Sequence, residues 1–445
     1  MAKPGKTTYI CAACGAASLK WQGQCPECDA WNTLEERAPA RPGAAAAQPV
    51  DVAEVMPDAE LRHATGFSEF DRVLGGGVVP GAVILLGGDP GVGKSTLLQQ
   101  VAAALAGGLA VCYATGEESL RQVGQRAQRL GLGDSRLRLL ADTDLDNVLG
   151  RAAETRARVV VVDSIQTMTT RDLPSAPGSV AQLRECVGRV VQFAKQREVA
   201  FFLIGHVTKE GAIAGPRVVE HMVDTVLYFE SDPGSRYSII RAVKNRFGAA
   251  SEMGVFAMTG SGFREVKNPS AIFLSGAAEG APGSVVTVAW EGSRPLLVEI
   301  QALVADAAGG HPKRLAQGFD QNRLALLVAV LQRHGGLSLA GMDVFANVAG
   351  GLRIGETAAD LPVLLAAVSS CRDEPCRARL MSFGEVGLAG EVRPVRFGAE
   401  RIAEAARQGF THAIVPRANA PKRAPEGIEV HAIGTLAEAL KAGFP

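Results

Sequence analysis

A loop built to grip phosphates, set between an apolar strand and a helix, restricts the fold of this chain more than any other feature. Residues 88–96 read Gly88, Asp89, Pro90, Gly91, Val92, Gly93, Lys94, Ser95 and Thr96. That fits glycine, four residues, glycine, lysine, then serine or threonine. The glycines let backbone N–H groups turn inward around an anion. Lys94 can reach β- and γ-phosphates, and Ser95 can offer its hydroxyl to Mg2+. The helix that starts here points the positive end of its dipole at the same anion. Ala82–Gly87 upstream has the composition of a buried strand, and Lys94–Ala106 downstream that of a helix. In this context the loop predicts binding of ATP with Mg2+ and an α/β architecture.

The following segments extend that architecture. Leu109–Ala114, Val159–Val162, Ala200–Gly205, Thr225–Glu230 and Tyr237–Val243 have strand composition. Helical stretches separate the earlier ones, which predicts a parallel sheet with crossover connections. The last two are joined by Ser-Asp-Pro-Gly-Ser-Arg, a turn sequence that predicts an antiparallel hairpin at the sheet edge. Asp163 ends the run of four valines, where a carboxylate can hold the water shell of Mg2+. Glu117 and Glu118 end another strand and are candidates for the base that orients an attacking water, Glu117 first. A second region of alternating strands and helices starts near residue 271, with Asn322–Arg333 and Ala358–Ser369 as helices.

At the N-terminus, Cys11, Cys14, Cys25 and Cys28 form two Cys-x-x-Cys pairs. Four thiolates at this spacing close a tetrahedron around Zn2+. So short a module lacks a sufficient apolar core, so metal binding supplies its folding free energy. Four protein ligands leave no open position, which makes the zinc structural. Cys112, Cys186, Cys371 and Cys376 read as ordinary core or surface residues. A run rich in alanine and proline follows the module and reads as a linker. Lys plus Arg and Asp plus Glu number 46 each, so any nucleic-acid contact must use local basic patches. No apolar run of about 18 residues predicts a membrane span, and the first residues lack the apolar centre of a signal peptide. The expected location is cytoplasmic.

The segment Lys244-Asn245-Arg246-Phe247-Gly248, with the four cysteines and residues 205–224, resembles the RadA (Sms) family of bacterial DNA-repair proteins along nearly the whole chain. The resemblance implies a RecA-like P-loop ATPase core, an N-terminal four-cysteine zinc ribbon or knuckle, and a C-terminal Lon-protease-like α/β domain. It places a zinc module at 1–36, a linker at 37–55, the ATPase at 56–268 and the Lon-like domain at 269–445. It ties the Lys244–Gly248 motif to ATP turnover and to behaviour on DNA. Lys244 and Arg246 can stabilise a neighbouring subunit's γ-phosphate or contact DNA phosphates. The favoured role of Lys244 is the trans-acting one, and Arg246 is divided between the two. His206 reads as a γ-phosphate sensor, followed by Thr208, Lys209 and a small flexible loop to Arg217 that can face a DNA channel.

In the Lon-like region Ala358 takes the place of the peptidase serine and Ala399 that of its lysine. Without nucleophile or base, peptide hydrolysis by that route is excluded, and the domain is expected to act as a hexamer scaffold. Lys313, Arg314 and Arg323 form a local basic cluster that can meet DNA. The implied function is a hexameric, DNA-dependent ATPase that moves on single-stranded and branched DNA and processes recombination intermediates with the RecA recombinase. The rivals are a filament-forming recombinase, an ATP-dependent protease and a nucleotide-gated scaffold.

Overall fold

The computed structural model describes residues 8–11, 17–18, 20–37, 51, 61–206, 217–231, 236–274, 280–307 and 311–445. The chain divides into two compact units, Met1–Glu60 and Leu61–Pro445. In the first, strand Thr8–Cys11 pairs antiparallel with both Ala17–Ser18 and Leu34–Arg37.

The second unit contains two large sheets. The first has nine strands. Val83–Gly88 lies at its centre, parallel to Ala200–Ile204 on one side and Thr225–Glu230 on the other. Beyond Ala200–Ile204 come Val159–Asp163, Val111–Thr115 and Arg138–Ala141, all parallel. The strand residues alternate between two cores, as a sheet covered on both faces requires. Ile84, Leu86, Val159, Val161 and Phe202 pack with Leu97, Leu98 and Val101 of helix Lys94–Leu105. Val83, Leu85, Val160, Val162 and Phe201 face the other way, against Leu183, Val187 and Val190 of helix Val180–Arg197.

The expected hairpin forms, with Tyr237–Asn245 antiparallel to Thr225–Glu230. It is not the sheet edge. Met253–Thr259 and Gly262–Glu265 extend it into a meander, and Gly262–Glu265 is the edge strand. Met253–Thr259 is interior because it pairs on both edges, and helix Ser68–Leu74 packs closely on it: a Cβ on Gly254 would lie 2.6 Å from the Glu69 carbonyl oxygen.

The second sheet has seven strands of mixed direction. Their order is Arg314–Gln317, Met342–Val348, Arg294–Asp306, Ser284–Glu291, Leu380–Ser382, His412–Pro416 and Glu429–Ile433. Helix Asp360–Arg372 is buried along most of its length and forms much of the core on one face.

Charged pairs connect the two sheets. Glu69 is 3% exposed and accepts from the Val255 backbone N–H at 3.0 Å and from both terminal nitrogens of Arg294 at 3.0 and 2.9 Å. Glu291 pairs with Arg241, and burial raises the Glu291 pKa while that arginine opposes the shift. Removing one partner from a buried pair leaves the other charge uncompensated. Arg294→Ala is therefore expected to cost about 3–5 kcal/mol of unfolding free energy, read as a fall in the urea midpoint.

Candidate active site

The phosphate loop bends as its glycines allow. Gly93 has φ +101°, and a Cβ there would lie 2.7 Å from the Phe263 ring. Lys94 is buried, and its ammonium donates to the carbonyls of Gly88 at 2.7 Å and Asp89 at 2.8 Å. Burial lowers the Lys94 pKa, while Asp163, Glu117 and Asp89 pull it back up. The lysine thus lies across the cavity of the loop, where incoming phosphate oxygens can replace the two carbonyls.

Asp163 is buried beside the loop. Desolvation raises its pKa, and hydrogen bonds from Tyr113 and Ser95 oppose that rise. The Tyr113 hydroxyl donates at 2.6 Å. Burial and the Asp163 charge push the Tyr113 phenol well above its usual range, so it remains a donor. Ser95 and Asp163 therefore already lie together, as expected of groups that share one hard cation.

The two glutamates diverge. Glu118 is held by Arg126 at 2.6 Å. Glu117 receives the Ser164 hydroxyl and lies 3.0 Å from His206 Nε2. Those contacts, His206 foremost, lower the Glu117 pKa against the opposing effect of burial. Glu117 is therefore held as a carboxylate between Ser164 and His206, whereas Glu118 is tied to Arg126. Ser164, Tyr113 and Arg126 were not singled out from the sequence. Ser164 directly follows Asp163, whereas Tyr113 and Arg126 carry no such local signal.

The Lys244–Gly248 segment is anchored at every residue. Lys244 Nζ donates to the carbonyls of Glu220, His221 and Val223 at 2.9, 3.2 and 2.8 Å. It therefore holds the C-terminal end of helix Arg217–Met222. Burial, then Arg246, lowers the Lys244 pKa. Asn245 donates to the Val73 carbonyl and accepts from the Phe247 N–H. Arg246 is half exposed and lies 3.5 Å from Asp224. Gly248 packs against backbone, since a Cβ there would lie 2.7 Å from Gly75 Cα. Thr208, Lys209 and residues 211–216 lie outside the described residues, and Arg217 is the first residue of the helix that follows them.

The proposed basic cluster does not form a free cationic patch. Arg323 makes a two-point ion pair with fully buried Asp360 and also donates to the Val386 carbonyl. Arg314 donates to the carbonyls of Lys313, Met342 and Leu339. Lys313 alone of the three is exposed. Arg323 is thus tied to a partner 37 residues away in the chain.

At the Lon-like positions Ala358 is buried and Ala399 exposed. Arg401 is fully buried and pairs with Glu356 at 2.9 and 2.5 Å, while Glu356 also accepts from the Trp290 N–H.

In the N-terminal unit, the ligand atoms of Cys11, Cys25 and Cys28 lie within 4.8 Å of one another. The Cys11–Cys28 sulfur separation is 3.7 Å. Bonds of about 2.3 Å at a tetrahedral angle put two sulfurs about 3.8 Å apart, so the donor set fits Zn2+. Cys14 lies outside the described residues.

Comparison with known proteins gives the same three parts. A rubredoxin metal-binding domain model matches residues 9–36, an AAA-domain model 53–212, and a model of the ChlI subunit of Mg-chelatase 328–419. The DNA repair protein RadA of Pseudomonas aeruginosa is 53% identical, with 100% of each chain covered. That of Escherichia coli K12 is 53% identical over 99% of each chain, and that of Bacillus subtilis 48% over 98% of each. This chain belongs to the RadA family. It is an ATP-hydrolysing enzyme with a RecA-like core, a zinc ribbon and a Lon-like C-terminal fold, and it takes ATP and zinc. Among the described residues no helix is long and apolar enough to cross a membrane. As a RadA-family zinc ribbon, the N-terminal unit should give thiolate-to-metal charge-transfer bands when refolded with Co2+, and Cys25→Ser should lose them.

Proposed function

We propose that this chain is a hexameric, DNA-dependent ATPase that translocates on single-stranded and branched DNA. Like the DNA-repair relatives it matches, it would serve recombinational repair, branch-migrating or processing intermediates together with the RecA recombinase. The supporting observation is how residues 207–216 are framed. Immediately before them, His206 bonds Glu117. Immediately after them, helix Arg217–Met222 is held by Lys244. A change at the γ-phosphate can reach His206 through Glu117, and the segment between carries Lys209 and leads to Arg217, the pair we assign to DNA phosphates.

In the reaction we propose, Gly88 to Thr96 wrap the phosphates and Lys94 turns from its two carbonyls to the β- and γ-phosphates. Ser95 and Asp163 would hold Mg2+, which neutralises phosphate charge when bound. Glu117 orients a water and takes its proton as the oxygen bonds to the γ-phosphorus, and ADP leaves. Within the chain Lys244 is occupied by three carbonyls, so a trans-acting role requires it to release that helix. Arg246 is the more exposed cation, for a neighbour's phosphate or for DNA. We divide the chain into a zinc module to residue 36, a linker to 55, the ATPase to 268 and a Lon-like scaffold beyond. That scaffold we take to be without peptidase activity, since alanines stand at 358 and 399.

The test is steady-state ATP hydrolysis with and without single-stranded DNA at matched salt. Glu117→Gln is expected to lower the rate about 10²–10⁴-fold while ATP still binds. Lys244→Ala is expected to lose most of the DNA stimulation. If no DNA stimulates the wild type, the motor reading fails and a nucleotide-gated scaffold replaces it.

A further inference from the structure

Far from the nucleotide in sequence, the edge of the second sheet brings together a donor set that the ATPase reading does not use. Strands His412–Pro416 and Glu429–Ile433 run parallel, with His412 opposite Glu429 and Ile414 opposite His431. Alternate residues of a strand share a face. Glu429 and His431 therefore project from the same side as His412. Glu429–Ile433 is the outermost strand of that sheet, with Glu429 exposed and both histidines partly buried.

The separations match a metal site. His431 Nε2 and His412 Nδ1 are 3.4 Å apart, with the rings stacked at 5.6 Å between centroids. The Glu429 carboxylate lies 3.6 Å from His412 Nδ1 and 3.8 Å from His431 Nε2. All three ligand atoms fall within 4.8 Å of one another. Two imidazole nitrogens bound at about 2.0–2.1 Å with a tetrahedral angle lie about 3.3–3.4 Å apart, which is the spacing found. The two Glu429 distances are to different oxygens, Oε2 and Oε1, so the carboxylate must swing inward to bind, and Glu429 is 66% exposed.

We propose that His412, Glu429 and His431 form a second metal site, for a borderline divalent cation of the Zn2+ or Co2+ class. Two imidazoles and one carboxylate suit such ions better than Mg2+ or Ca2+, which prefer all-oxygen shells. Three protein ligands leave a fourth position for water or for a donor from another molecule. The bound ion cross-links the edge strand to its neighbour. The site differs from the ribbon in ligand type, since it has no thiolate.

That difference makes it testable in the full chain. The zinc-loaded protein, its ribbon thiolates occupied, is titrated with Co2+ in the absence of nucleotide. The expected result is weak visible d–d absorption that saturates at a single added equivalent, without thiolate charge-transfer bands. His431→Ala and Glu429→Gln should abolish or strongly weaken it. Unchanged basal ATP hydrolysis in both variants would show that they are folded. No saturable absorption in the wild type overturns the proposal. So does absorption that survives in His431→Ala, because the ion then sits elsewhere.

Discussion

A carboxylate taken out of water must be met by donors, and Asp224 is where this chain meets that demand at the centre of its ATPase. It is 3% exposed and immediately precedes strand Thr225–Glu230. Its side chain accepts from the Val83 N–H at 3.0 Å and from Lys195 at 2.7 Å, with Arg246 3.5 Å away. Val83 opens the strand that delivers the phosphate loop, Lys195 belongs to the helix covering one sheet face, and Arg246 belongs to the family motif. One buried charge thus fixes the start of the catalytic strand, the end of a long helix and the turn after Asn245. Lys195 also lies over the Phe247 ring at 5.8 Å, which adds a second tie between that helix and the motif.

The same economy governs the catalytic groups. Asp163 and Glu117 are neighbouring acids in a partly desolvated place, and each is stabilised by its own donors. Tyr113 and Ser95 serve the first, Ser164 and His206 the second. Lys94 lies between them and the loop carbonyls. The acids of the pocket are therefore each held in place by the protein's own donors. Preorganised polar groups of this kind are what electrostatic catalysis requires.

Much of this was readable from residues in order. The strand–loop–helix around Lys94, the valine run ending in Asp163 and the paired cysteines are local patterns, and local patterns survive in a bare sequence. The alternation of Val159 to Val162 between two cores follows from the same run. What was not readable depends on residues far apart in the chain. Ser164 gains meaning only when it meets Glu117, and Tyr113 only when it meets Asp163. The meander beyond Asn245 was missed because its short strands are held by helix Ser68–Leu74, far upstream. The pairing of Arg323 with Asp360, from another helix, is equally invisible in the sequence.

The Glu356–Arg401 pair occupies the interior near the two Lon-like positions. Each partner lies two residues from a position where a peptidase of this fold carries its reactive group, Ala358 or Ala399. Arg401 is sealed among Val288, Trp290 and Phe383. A guanidinium therefore fills the interior beside both alanines, held by the Val288 carbonyl, the Glu356 carboxylate and two aromatic rings.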